Sequence, residues 1–108
     1  MAPAEIRAIA RSYGRRVRSV LSPKMVVLFG SQVGGEAGPS SDIDIAVVVD
    51  RVEGDYLDVQ AALYRARREI DDRIEPVLLE SDRDPSGFLE SVLARGEVIF
   101  PEPVEPAG

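Results

Sequence analysis

Four short apolar runs alternate with longer stretches in which apolar residues recur every three or four positions. This alternation constrains the fold more than any other feature of the chain. The runs cover residues 25–29, 42–49, 74–79 and 97–100. Each has the length of a strand and is rich in Val, Ile, Leu or Phe. Before the first run, Ile6, Ile9, Tyr13, Val17, Val20 and Leu21 trace one face of a helix, with Pro3 near its first turn and Ser22-Pro23 at its end. Tyr56, Val59, Leu63, Ala66 and Ile70 trace a second helix, which Asp55 can cap and Asp58 can favour by its charge. Asp84-Pro85-Ser86 reads as a third helix start, Phe88, Leu89, Val92 and Leu93 as its apolar side, and Gly96 as its end. The order is α-β-(α)-β-α-β-α-β. Such a chain folds as an α/β (α+β) domain, a small mixed β-sheet flanked by helices. Pro76 cannot donate to a ladder, so the third strand belongs at an edge or a bulge.

Composition narrows the chemistry. The 108 residues include no cysteine and no histidine. That removes disulfides, cysteine-ligated zinc, imidazole metal sites and histidine-based nucleophilic triads. Carboxylates, hydroxyls, arginines and oxygen-bound metal remain. Residues 1–41 carry six cationic and two acidic side chains, whereas residues 42–108 carry seven and seventeen. The acidic balance argues against a general nucleic-acid surface. Arg7, Arg11, Arg15 and Arg18 line one face of the first helix. They read as a solvated face or as a stripe for an acidic partner. No apolar run is long enough to cross a membrane, and the first residues lack the pattern of a signal peptide. The expected location is the cytoplasm. One domain is expected over residues 1–100, with residues 101–108 as a Pro/Glu-rich flexible tail.

The informative stretch is Leu28-Phe29-Gly30-Ser31, a gap of ten residues, and Asp42-Ile43-Asp44. A buried strand ends at Gly-Ser, where glycine lets a phosphate approach the backbone and the serine hydroxyl can donate to it. Strand alternation puts Asp42 and Asp44 on one face, with Ile43, Ile45 and Val47 on the other. Two like charges held this close repel unless a cation lies between them. The oxygen donors suit magnesium, which bridges carboxylates and substrate phosphates. Two such ions can serve the attacking and leaving oxygens of a phosphoryl transfer. Glu75 is the candidate third carboxylate. Glu80 is the alternative, at the strand end and on the opposite face.

These residues resemble the signature of the polymerase-beta-type nucleotidyltransferases. The segments 74–79 and 88–100 are similar to the later strand and the helix–strand ending of the minimal nucleotidyltransferases of that superfamily, so the resemblance spans most of the chain. It implies that Gly30 and Ser31 hold the β and γ phosphates of a nucleoside triphosphate, expected to be ATP. It implies that Asp42 and Asp44 bind two Mg²⁺ ions, and that Glu75 completes the metal site and helps deprotonate the attacking hydroxyl. The reaction would transfer a nucleoside monophosphate and release pyrophosphate. Minimal members commonly pair with an all-helical HEPN-type toxin and act as its antitoxin, modifying a hydroxyl of that partner with AMP. The alternatives are a non-catalytic antitoxin acting sterically, and transfer to a small molecule such as an aminoglycoside. A homo-oligomer is compatible with the sequence. In one respect the chain departs from the family, which often carries arginine in the turn after the serine. Gln32-Val33-Gly34-Gly35 supplies none, so a cation would have to come from elsewhere, such as Arg73 or a partner chain.

Overall fold

A computed structural model describes residues 2–38 and 40–102 of the protein. The order is α1 (Ala4–Arg18), β1 (Met25–Phe29), α2 (Ser31–Gly34), β2 (Ile43–Val49), α3 (Tyr56–Ala66), β3 (Ile74–Glu80), α4 (Phe88–Arg95) and β4 (Glu97–Phe100). The α/β order expected from the apolar runs is the order observed. The four strands form one mixed sheet, β3-β2-β1-β4. β1 is antiparallel to β2 and β4, and β2 is parallel to β3 through the α3 crossover. The flexible tail expected from residue 101 onward lies outside the described residues beyond Glu102.

Strand alternation divides the core into two layers. Val26, Leu28, Ile43, Ile45, Val47, Ile74 and Leu78 face α1 and α3, meeting Ile6, Tyr13, Val17 and Leu63. Val27, Ala46 and Val48 face the other way and meet Leu89 and Val92 of α4. Two glycines permit close packing. Gly30 has φ +78°, a region that side chains rarely occupy. At Gly96 a Cβ would lie 2.6 Å from Val27 Cγ1 and 2.8 Å from the Leu28 carbonyl oxygen, so the turn between α4 and β4 presses directly on β1.

β3 is the edge strand that Pro76 predicts, and α3 seals that edge. Tyr56 Oη donates to the Leu78 carbonyl at 2.7 Å, and Gln60 Nε2 donates to the Pro76 carbonyl at 2.8 Å. Gln60 Oε1 accepts from Leu78 N at 3.2 Å, and Arg67 donates to the Ile74 carbonyl at 2.8 Å. Residues 74, 76 and 78 share the outward edge, so the proline's missing N–H costs no ladder bond. An exposed strand edge invites pairing with another chain, and this polar stripe occupies it.

Several boundaries and burial expectations shift. α1 stops at Arg18, where the Ser19 hydroxyl turns back to the Arg16 carbonyl, and Val20 lies outside it at 47% exposure. Tyr56 is exposed at the ring because its hydroxyl serves the β3 edge. α4 begins at Phe88 rather than at Asp84-Pro85, because Gly87 adopts a left-handed conformation and Asp84 caps from a distance, accepting from Leu89 N and Glu90 N. Phe88 and Leu93 lie half exposed beside the buried Leu89 and Val92. The Asp55 cap is as expected, accepting from Leu57 N and Asp58 N.

The α1 arginine face is partly used within the fold. Arg7 pairs with Glu97 at 2.8 Å, and Arg18 lies 4.4 Å from the centroid of the Phe100 ring. Arg11 and Arg15 remain exposed. Among the described residues, no helix is long and apolar enough to cross a membrane.

Candidate active site

The site forms where three strands bring their ends together. Asp44 pairs in register with Phe29 across β1 and with Glu75 across β3. Residues in register on neighbouring strands share a face. Glu75 therefore joins Asp44, whereas Glu80 is in register with Val49 at the far end of β3 and accepts a hydrogen bond from Val52 N at 2.9 Å. Asp42 immediately precedes β2, is exposed, and acts electrostatically on Asp44. Gly30, at the end of β1, lies against the same carboxylate. A Cβ there would collide with Asp44 Oδ2 and crowd its Cβ and Cγ. Gly30, Asp44 and Glu75 thus meet at one corner of the sheet, and Asp42 reaches Asp44 through its charge.

Asp44 records the crowding. Its carboxyl titrates above the ordinary aspartate value of 3.8, first because it is partly buried and then because Asp42 and Glu75 add negative charge. The acids at this corner offer hard carboxylate oxygens, the ligand type that magnesium takes. Among the described residues, no three acids stand close enough to hold a metal ion in their present arrangement. Glu75 is engaged elsewhere: its Oε2 accepts from Tyr64 Oη at 2.9 Å, and its Oε1 lies 3.7 Å from Arg67 Nη1. The Tyr64 phenol is correspondingly harder to ionise, chiefly because it donates to Glu75. The donor chemistry fits the ion.

The sequence reading missed two residues here. Gln32 is buried, and its Nε2 reaches the carbonyls of Ser41 and Asp42 at 3.4 and 3.3 Å. It ties the α2 turn to the approach of β2, so it orients Asp42 relative to Ser31. The available signal was an amide placed between the Gly-Ser turn and the acid pair. Tyr64 passes in sequence for a boundary aromatic. Nothing local links it to Glu75, since the contact is made across the α3–β3 crossover. Arg73, suggested as a replacement cation, is held by Asp71 through contacts of 2.8 and 3.0 Å. Arg67 is the guanidinium beside the carboxylates.

A cavity of about 650 Å³, lined by Leu21, Val49, Val52, Val59 and Leu78 among others, lies at the opposite end of β2 from Asp44. It includes none of the acids of the site.

Comparison with known proteins agrees with this fold. The family model described as "Polymerase beta, Nucleotidyltransferase" matches residues 15–103. The fold is similar to that of a Sulfolobus solfataricus protein solved as a "putative nucleotidyltransferase", with a TM-score of 0.62 at 20% identity over 87% of this chain and 78% of that one. Among curated proteins, none matches the chain.

Proposed function

This chain belongs to the polymerase-beta nucleotidyltransferase family, and on that premise we propose that it transfers a nucleoside monophosphate, AMP from ATP, to a hydroxyl of a partner protein. The observation that carries the reading is the meeting of Gly30, Asp44 and Glu75 at one corner of the sheet, with the charged form of Asp44 disfavoured first by burial and then by its acidic neighbours. In this reading Gly30 and Ser31 receive the β and γ phosphates. Asp42, Asp44 and Glu75 hold two Mg²⁺ ions, and Glu75 takes the proton of the attacking hydroxyl. The ions, when bound, supply charge neutralisation on the triphosphate and the leaving pyrophosphate. The side chains of this site contribute position and negative charge, which is what such a transfer asks of them.

The partner assigned is a HEPN-type helical toxin, with this chain as its antitoxin. Support comes from the resemblance of residues 28–44, 74–79 and 88–100 to the minimal nucleotidyltransferases. The test is to incubate the protein with α-labelled ATP, Mg²⁺ and the product of its neighbouring gene. Label on the partner with release of pyrophosphate is expected, and Asp42→Asn or Asp44→Asn should abolish it. An unlabelled partner, in a mixture where the two proteins form a complex, would sink the proposal.

One observation favours a second reading. α2 carries no basic residue, and Arg73 is occupied by Asp71. A chain with weak phosphate binding can still neutralise a partner by covering it. Under that reading the two Asp→Asn variants neutralise the toxin in cells as well as the wild type does.

A further inference from the structure

Both oxygens of Glu75 face donors from one stretch of chain. Tyr64 Oη donates to Oε2 at 2.9 Å, and Arg67 Nη1 lies 3.7 Å from Oε1. Tyr64 and Arg67 are three residues apart, so they share a helical face. Arg67 is anchored first: Nη1 donates to the carbonyls of Asp72 and Ile74 at 3.0 and 2.8 Å. Its guanidinium then lies 5.1 Å from the Tyr64 ring centroid. The backbone of β3 thus fixes Arg67, Arg67 backs the Tyr64 ring, and the Tyr64 hydroxyl engages Glu75. Asp44, in register with Glu75 on the next strand, carries the like-charge crowding. The three acids do not yet form a closed ligand set.

We infer that Tyr64 and Arg67 form a clamp that parks Glu75, and that a divalent cation entering beside Asp42 and Asp44 draws Glu75 away from the Tyr64 hydroxyl. Tyr64 is then a positioning residue, acting on the ion only through Glu75. This rests on the reading of the acids as metal ligands. A cation attracts all three carboxylates, whereas the clamp holds one of them by a hydrogen bond and a longer ion pair. The net worth of that hydrogen bond sets how much cation binding is opposed.

The full chain allows a direct test, because it has three tyrosines and no tryptophan to obscure their emission. Free Mn²⁺ is counted by electron paramagnetic resonance as the ion alone is added to wild type, Tyr64→Phe and Tyr56→Phe. Tyrosine emission is followed in a parallel Mg²⁺ titration. Tyr64→Phe keeps the ring and loses only the hydroxyl, so its metal-free thermal transition should fall by no more than the several degrees that one net hydrogen bond is worth. Its half-saturation should fall at Mn²⁺ concentrations about 3- to 10-fold lower, the factor for one net hydrogen bond. Emission should change on saturation in wild type and Tyr56→Phe, and not in Tyr64→Phe. Equal or weaker Mn²⁺ binding by Tyr64→Phe overturns the clamp alone, as does an emission change that survives the substitution. Absence of Mn²⁺ binding in all three proteins overturns the metal-site reading and the clamp with it.

Discussion

Asp44 occupies the space that a side chain on Gly30 would need. The Asp44 carboxylate lies where a Cβ would project, and Gly30 also holds φ +78°. Two separate costs therefore fall on Gly30→Ala: backbone strain of about 1–3 kcal/mol, and displacement of the central carboxylate. The substitution should lower the melting temperature by at least about 5 °C and remove transferase activity. In the Asp44→Ala background the clash disappears and the strain remains. The thermal penalty of Gly30→Ala should then shrink without vanishing, and a double-mutant cycle measures the difference.

Asp44 itself trades stability for its place in the site. Its pKa in the folded chain lies above the ordinary 3.8, through burial first and then through the charges of Asp42 and Glu75. The folded chain therefore holds this proton more tightly than the unfolded chain does, and stability falls as pH rises through the interval between the two values. Asp44→Asn removes the titration. Without added divalent cation, the variant should melt above the wild type at neutral pH. The advantage should fade as pH falls below the ordinary aspartate value. Calorimetric melts of both proteins from pH 3 upward, about every half unit, check the sign.

The edge of β3 depends on α3. Gln60 serves both the Pro76 carbonyl and the Leu78 amide. Gln60→Ala should cost about 1–3 kcal/mol for two lost hydrogen bonds. It should also expose part of a strand edge, so light scattering at raised concentration should show more self-association than in the wild type.

Gly96 has no freedom to grow. A Cβ there would meet Val27 Cγ1 at 2.6 Å, the Val92 carbonyl oxygen at 2.7 Å and the Leu28 carbonyl oxygen at 2.8 Å. Two of these neighbours are backbone and cannot rotate away. Gly96→Ala should destabilise by about 2 kcal/mol or more, read by urea denaturation at an unchanged m-value.

Much of this was legible before any coordinates. The apolar runs announced all four strands, and Pro76 announced which of them is the edge. The alternation of residues 42–49 announced that Asp42 and Asp44 leave the face taken by Ile43, Ile45 and Val47. Parity along β3 separated Glu75 from Glu80, and the register of β3 on β2 agrees. Helix ends were less legible. Asp84-Pro85-Ser86 has the composition of a helix start, yet the left-handed Gly87 sets the first turn after it. Tyr56 departs from the buried stripe because an aromatic at helical spacing fits either a core or an edge, and only its hydroxyl contact decides. Tyr64 and Gln32 were not legible because their partners lie across a crossover and a loop. No periodicity encodes such contacts.

Asp42, Asp44 and Glu75 are proposed to form a divalent-cation centre beside a phosphate-binding Gly30-Ser31 turn. The most direct measurement is anomalous diffraction from crystals grown with Mn²⁺ and a non-hydrolysable ATP analogue. The expected result is an anomalous peak between the Asp42 and Asp44 carboxylates, Glu75 turned from Tyr64 toward it, and the triphosphate on the Gly30-Ser31 turn. A nucleotide bound elsewhere, with no anomalous density at these carboxylates, would contradict it.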